Sequence, residues 1–354
     1  MPMKATYAVI PVEGVARLET EDLDPTDLGA ADILIEAEAS IISAGTELSV
    51  FTGLAPGVRV AGSWNAYPWR PGYGLVGHVL GLGARVTGFS VGDRICCFGK
   101  HASVQRFDVS GKRPVDSAFP MLGGLSAAEG LVARMALIGL AGLQLSDFEA
   151  GDTVAVFGLG LVGNLAAQLF QLAGTRVMAF DVVRERCRIA REVGIETALD
   201  VPAEAQLNAL QDLTQGKGVS IAVDAVGHSA VVQTCVEACA PYGQVILLGS
   251  PRAPLETDVT RMLRTVHHRW LTLRGALEWR LPPYPVLGVK HSIASNLALL
   301  QEHVKAGRLR ARPLITDVIA PAGLQGAYRG LLDEKDRHLG VIVEWESEEA
   351  WREV

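Results

Sequence analysis

The run "DTVAVFGLGLVGNLAAQLFQLAG", Asp152 to Gly174, constrains this chain more than any other. An apolar, β-branched stretch leads into Gly158-Leu159-Gly160-Leu161-Val162-Gly163, and a helical pattern follows at once. Each glycine has a physical task. The first permits a tight turn, the second lets the backbone approach a pyrophosphate, and the third lets helix and strand pack closely. The start of the helix then offers unbonded N–H groups and the positive end of its dipole to phosphate. The next strand-like stretch, "RVMAFD", closes on Asp181, an acid placed to accept hydrogen bonds from a ribose. Together these predict a βαβ unit for a dinucleotide.

Asp181 also bears on which dinucleotide. A carboxylate there repels a 2′-phosphate, and Val182 and Val183 offer no cation to hold one. NAD is therefore expected, with NADP second because Arg184 and Arg186 lie close by. Val226 and Gly227 of "VDAVG", and Gly249 of "VILLGS", are expected further along the same cofactor edge.

Strand-like and helix-like segments alternate on both sides of this unit, from "SAAEGLVARMALIGLAGLQL" to "LTLRGA". Apolar strands separated by amphipathic helices predict a parallel sheet covered on both faces. The first 121 residues read differently, as short runs cut by Gly, Pro and Asp, which predicts a β-rich domain. The expected class is α/β, a nucleotide-binding domain beside a β-rich domain. The expected bounds are 1–125 for the β-rich part and 126–290 for the nucleotide-binding part. A chain of 354 residues is long enough for two cores.

The formal charge of -7 argues against nucleic acid or an anionic membrane as partner. No apolar run is read as long enough for a membrane span, and the N-terminus lacks the pattern of a signal peptide, so a cytoplasmic location is expected. Five cysteines without a signal make a disulfide framework unexpected. Cys235 and Cys239 are spaced to share a helix face, where packing as small hydrophobes is favoured over metal binding. Cys96 and Cys97 point to opposite faces of a strand.

"GDRI", "AGDTVAVFGLGLVG", "VDAVG", "APYGQVILLGS" and "NLALLQEHVKAGRLRARPLITDVI" resemble the medium-chain dehydrogenase/reductase superfamily along nearly the whole chain. That resemblance implies an α/β fold with a Rossmann nucleotide-binding domain and a β-rich GroES-like catalytic domain, a return of residues 291–354 to the latter, and an active-site cleft between the two. It also implies a comparison with the zinc-dependent members. Their metal thiolate position is similar to Ala44 in "SAGTELSVFTG", and their Gly-His-Glu to Gly72-Tyr73-Gly74. Glu129 is near a third ligand position. A catalytic zinc needs about three protein ligands, so the resemblance implies no zinc. "SAGTEL", "PGYGLVGHV" and "VTGFSVGDRICCFGKHASV" are similar to the zinc-free branch that includes bacteriochlorophyllide a dehydrogenase and related sugar or polyol dehydrogenases.

Without metal, another group must handle the alcohol proton. Tyr73 is the first candidate, since it replaces a ligand at the floor of the cleft. Glu47 is a candidate base or an orienting group for Thr46 or a backbone amide. Thr46 and Ser43 are candidate hydrogen-bond donors. His78 and His101 are weighed more as wall or core residues than as catalysts, and His267 and His268 are read as structural. Substrate contacts are sought in "SWNAYPWR", where Trp64, Tyr67, Trp69 and Arg70 with Asn65 suit a sugar or planar ring; a loop stapled by its own aromatics, or a dimer contact, is the competing reading. Trp279, with Glu278 and Arg280 in "GALEWRLPPYP", is expected near the nicotinamide. The expected function is zinc-independent, NAD-dependent hydride transfer between a small-molecule secondary alcohol and its ketone, in a homodimer or homotetramer. A sugar, polyol or cyclitol leads. A hydroxyethyl tetrapyrrole, an NADPH enone reductase and a non-catalytic NAD(H) sensor are the alternatives.

Overall fold

Residues 2–345 are described by the computed structural model. The N-terminal part runs β1 (Met3–Val12), β2 (Val15–Leu23), β3 (Asp32–Ile41), α1 (Ala44–Phe51), β4 (Leu75–Leu82), β5 (Arg94–Cys97), β6 (Val104–Asp108) and β7 (Ala118–Pro120). Helix α2 (Ala127–Leu145) leads out of it. The alternating part follows as β8 (Thr153–Phe157), α3 (Leu161–Leu172), β9 (Arg176–Asp181), α4 (Arg184–Glu192) and β10 (Thr197–Asp200). It continues with α5 (Ala203–Thr214), β11 (Val219–Asp224), α6 (Ser229–Ala238), β12 (Cys239–Leu247), α7 (Val259–His268) and β13 (Thr272–Gly275). Last come α8 (Ile293–Lys305), β14 (Ile315–Ile319), α9 (Leu324–Asp333) and β15 (Gly340–Glu344).

The alternating part forms one parallel six-stranded sheet in the order β10-β9-β8-β11-β12-β13. Its strands read as apolar because both faces are covered by helices; Val154, Ala155, Val156 and Phe157 of β8 are all buried. The chain order reverses beside β8, so the strand ends there open a crevice, the place where such sheets bind ligands. The other sheet is mixed, β14-β15-β3-β4-β5-β7 with β6 also on β3. Strand β15 lies antiparallel to β3, so the C-terminal segment closes the N-terminal sheet.

Helix α2 joins the two halves. Ser126 caps it by accepting from the Glu129 N–H at 3.2 Å, while the Glu129 carboxylate accepts from the Ser126 N–H at 3.0 Å, a reciprocal box that satisfies two orphan donors. The helix packs on α3 and α8 and touches β3 and β4, so one apolar cluster runs from Ile41, Val76 and Phe98 through Leu131 and Val132 to Val154 and Leu165. Truncating Leu131 to alanine removes about 2–5 kcal/mol. By length and composition this 19-residue helix is apolar enough to cross a membrane, which corrects the expectation that no run is. Burial on most sides is the reason for its composition. It is a core helix, and its single arginine becomes central below.

Two cysteine expectations divide. Cys96 faces the cluster around α2 and Cys97 the opposite cluster around Ile10 and Leu75, as strand alternation requires. Cys235 and Cys239 do not share a helix face, because α6 ends at Ala238 and Cys239 opens β12. Both are buried thiols, and burial pushes the Cys239 thiol up to about 12.

Candidate active site at the domain boundary

The glycine loop is built as its spacing demands. Gly158 has φ +94°, a left-handed value that glycine adopts at no steric cost. A Cβ on Gly163 would sit 2.0 Å from the Gly158 carbonyl oxygen, so α3 packs where a side chain cannot. Gly160 caps α3 with open space before it, Leu159 is buried beneath, and Leu161 and Val162 start the helix. Asp181, at the end of β9, accepts from the Leu159 N–H at 2.7 Å and the Val183 N–H at 2.8 Å. Its carboxylate therefore holds the loop. Arg186 Nη1 lies 3.8 Å from Asp181 Oδ2, and its Nε is buried without a partner.

Next to this loop the chain comes together tightly. The Cβ position of Gly158 would meet Val226 Cγ2 at 2.6 Å, that of Gly249 would meet the Gly227 nitrogen at 2.3 Å, and that of Gly227 the Ser250 oxygen at 2.7 Å. Asp224 fastens the turn by accepting from Val226 N–H at 2.9 Å and Gly227 N–H at 3.0 Å. Its other oxygen is buried and unpartnered, and burial raises its pKa. This glycine-lined crevice, with open N–H groups and an orphaned buried oxygen, fits a dinucleotide laid along the strand ends.

Tyr73 is half-buried where β4 begins, with its hydroxyl hydrogen-bonded to Ser43 Oγ and 3.5 Å from Thr46 Oγ1. So Tyr73, Ser43 and Thr46 are brought together. Burial raises the Tyr73 pKa, and Arg134 and the Ser43 hydrogen bond pull it back. Arg134, from the middle of α2, was missed in the sequence. It is 1% exposed. Its Nε donates to the Tyr73 carbonyl at 2.8 Å, its Nη2 to Glu278 Oε1 at 2.9 Å and its Nη1 to Glu278 Oε2 at 3.3 Å. Its guanidinium stacks over the rings of Tyr73 at 4.7 Å and Phe98 at 4.6 Å. Trp279 meets Phe98 edge-on at 5.0 Å, so Trp279 joins the wall beside Tyr73, and Glu278 is a buried partner rather than part of a surface hairpin. Arg280 closes the same turn.

Glu47 is fully buried and engaged. It accepts from the Ser43 N–H at 2.9 Å, the Tyr328 hydroxyl at 2.7 Å and His101 Nε2 at 3.0 Å. Since the carboxylate takes only acceptor roles, His101 carries its proton on Nε2 and accepts from Ser40 Oγ through Nδ1 at 2.7 Å; Ser40 in turn accepts from Trp345 Nε1 at 2.8 Å. Glu47 thus holds the start of α1, and with it Ser43. The carboxylate meets the Ser43 backbone amide, and Thr46 is not among its hydrogen-bond partners.

Other candidates lie elsewhere. His78 faces Glu38, with 3.8 Å between Nε2 and Oε2, beside Arg94 on the same carboxylate; Tyr73 is not among its partners. The aromatic loop lies mostly against its own domain. Trp69 is buried against Ile10, Trp64 is 70% exposed with its edge on Trp69 at 6.0 Å, and Tyr67 donates to the Val50 carbonyl. Arg70 pairs with Glu21 at 2.6 Å and lies 4.0 Å over the Tyr7 ring. Asn65 donates to the Pro56 carbonyl at 2.9 Å. The loop spends its aromatics on fastening itself to its own domain. His267 and His268 end α7.

The metal positions supply little. Ala44 and Gly74 have no donor, Tyr73 offers one phenol, and Glu129 is engaged with Ser126 and with Arg312 at 3.0 Å. Among the described residues no three His, Cys, Asp or Glu side chains converge. The donor set does not fit a catalytic zinc.

Residues 162–280 match the family described as zinc-binding dehydrogenase; that stretch lies in the nucleotide-binding half, outside the metal positions. L-threonine 3-dehydrogenase from Escherichia fergusonii is 24% identical over 314 residues, covering 77% of this chain and 89% of that protein. D-guloside 3-dehydrogenase from Shigella flexneri is 26% identical over 219 residues, covering 57% and 61%. The crystal structure of galactitol-1-phosphate dehydrogenase from Escherichia coli shares the fold, with a TM-score of 0.80 at 17% identity over 96% of this chain and 99% of that one. The matched segment, the likeness along most of the chain and the shared fold make this chain similar to medium-chain, zinc-binding dehydrogenases.

Proposed function

We propose that this chain is a dehydrogenase of CH–OH donors that works without zinc and uses NAD, with Tyr73 as the proton-handling group. The single observation that carries the reading is the Tyr73 hydroxyl, bonded to Ser43 and near Thr46, at the position where zinc members place a ligand. The relatives named above act, by their names, on secondary alcohols of an amino acid, a glycoside and a polyol phosphate, which supports a polyol- or sugar-like substrate. The zinc-free branch reading rests on Ala44, Tyr73 and Gly74.

The dinucleotide would lie with its pyrophosphate at Gly158–Gly163, its adenosine ribose at Asp181 and its nicotinamide end toward Val226, Gly227 and Gly249. Bound there, its nicotinamide accepts or returns the hydride of the carbinol carbon. Asp181 favours NAD, and Arg186 beside it is the one group that favours a 2′-phosphate.

The chain's own residues supply the proton chemistry. Burial keeps the Tyr73 phenol protonated at neutral pH, so in the carbonyl-reducing direction its O–H polarises the ketone oxygen and delivers the proton. In the alcohol-oxidising direction the phenol first passes its own proton through the Ser43 and Thr46 hydroxyls to solvent, and the phenolate then takes the alcohol proton as the hydride leaves. Arg134 stabilises developing phenolate charge from behind the ring. Glu47 and His101 keep Ser43 in place.

Strand β13 pairs only with β12, and Leu273 and the stacked pair Tyr242 and Trp270 are exposed beside that open edge. This edge supports a homodimer, or a homotetramer built from it.

The test is NADH formation from a panel of polyols, sugars and hydroxy acids, with elemental analysis of the purified protein. Turnover with substoichiometric zinc, retained in chelator, is expected. Stoichiometric zinc lost together with activity would overturn the metal-free reading, and NAD binding without turnover across a broad panel would favour a sensor.

A further inference from the structure

Arg252, in the loop after β12, is the charged group at this boundary that the chemistry above does not use. Its guanidinium reaches across to α1 of the facing domain. A Cβ on Gly45 would lie 3.6 Å from Arg252 Nη1 and 3.7 Å from Nη2. Gly45 itself is exposed, and Ser43 and Tyr73 lie beside it.

Arg252 is half-buried, and burial lowers its pKa while Tyr73 pulls it back up. Among the described residues no carboxylate pairs with it. Two buried acids of this boundary are committed elsewhere, Glu47 to His101 and Tyr328, and Glu278 to Arg134. A guanidinium taken partly out of water without a counter-charge destabilises the empty protein. Its planar fork matches a carboxylate or phosphate in two-point contact.

The sheet order tells which anion this is. Asp181 ends β9, the glycine loop follows β8, Gly227 follows β11, and Arg252 follows β12. Two strand spacings, about 10 Å, separate β12 from β8. The guanidinium then extends still further, onto α1, toward the proton-handling end and away from the pyrophosphate loop.

We propose that the substrate carries an oxyanion, a carboxylate or a phosphate, close to its carbinol carbon, and that Arg252 binds it beside Tyr73. This rests on the dehydrogenase reading for its position relative to the reacting carbon. The anion site itself rests on Arg252, Gly45 and the absence of an acidic partner.

The test uses the full-length protein saturated with NADH, so that the pyrophosphate site is filled. Oxalate and inorganic phosphate are titrated as probes by calorimetry and thermal denaturation, for wild type, Arg252→Gln and Arg252→Lys. At least one anion is expected to bind wild type saturably and about 10- to 100-fold more weakly to Arg252→Gln, the range for a charge-assisted contact, with part of the loss restored in Arg252→Lys. In the same variants kcat/KM is compared for hydroxy acids and sugar phosphates against their neutral polyol counterparts. The preference for the anionic members should collapse in Arg252→Gln. Anions that bind neither form, or both equally, overturn the proposal. So does a tenfold loss of NADH affinity in Arg252→Gln, which would assign Arg252 to the cofactor's pyrophosphate. No turnover with any substrate would count against the dehydrogenase reading, while the anion titration still decides this one.

Discussion

Replacing Arg134 by methionine removes one charge from the interior at nearly constant volume. The structure sets the size of the effect. The substitution deletes two hydrogen bonds to Glu278, one to the Tyr73 carbonyl, and the stacking on Tyr73 and Phe98. Removing one partner of a buried pair typically destabilises by about 3–5 kcal/mol, because the other charge is left uncompensated. At roughly 2 °C per kcal/mol for a chain of this size, the melting temperature should fall by about 6–10 °C. The sign of the pH dependence follows from Glu278. Burial already holds its folded-state pKa above the ordinary carboxylate value, against the pull of Arg134. An acid with a raised folded pKa weakens the fold as pH rises from its unfolded value toward its folded one. Without Arg134 the folded pKa rises further, so the deficit relative to wild type should be smallest near pH 5 and grow toward pH 8. Thermal denaturation at pH 5, 6.5 and 8 measures it. In Arg134→Met/Glu278→Met both charges are gone, and most of the lost stability should return. A double variant no more stable than the single one, or a deficit that shrinks as pH rises, refutes the buried-pair account.

Tyr73→Phe should lower turnover by about 10²–10⁴-fold with NADH affinity unchanged, read from steady-state rates and a fluorescence titration; a loss of only a fewfold would reassign the proton. Glu47→Gln should chiefly lower the melting temperature, since the carboxylate accepts from three donors, and a shifted pH–rate profile with stability intact would instead make Glu47 the base. Asp181→Ala should weaken NAD and narrow its advantage over NADP, measured by titrating both cofactors; wild type binding NADP as tightly as NAD would remove the ribose assignment.

The nucleotide half was legible because its physics is local. A glycine turn, an apolar strand and an acid at the next strand end are neighbours in sequence, and the backbone there allows few alternatives. Tyr73, Ser43 and Thr46 were found through the resemblance, which places two distant segments side by side. Arg134 was not found because it sits in "LVARMALIG", where a lone cation in an apolar helix carries no sign of which way it points. Its partner Glu278 lies 144 residues away, so no spacing rule could join them. The aromatic loop was ambiguous for the opposite reason. Trp64, Tyr67 and Trp69 make the same local pattern whether they face a ligand or staple a loop, and only the burial of Trp69 against Ile10 separates the two.

The same pairing logic explains how the boundary is charged. Glu47 is held by Ser43, His101 and Tyr328 from three separate segments, and Glu278 by Arg134 from α2. Neither is available to repel an approaching anion or to neutralise Arg252. A catalytic metal would bring its own positive charge to polarise the substrate oxygen. In the proposed metal-free reading a neutral phenol occupies that position, with one paired guanidinium behind its ring and one guanidinium without a carboxylate partner among the described residues in front of α1. The positive field at the reacting oxygen then comes from arginines, which keep their charge across the working pH range.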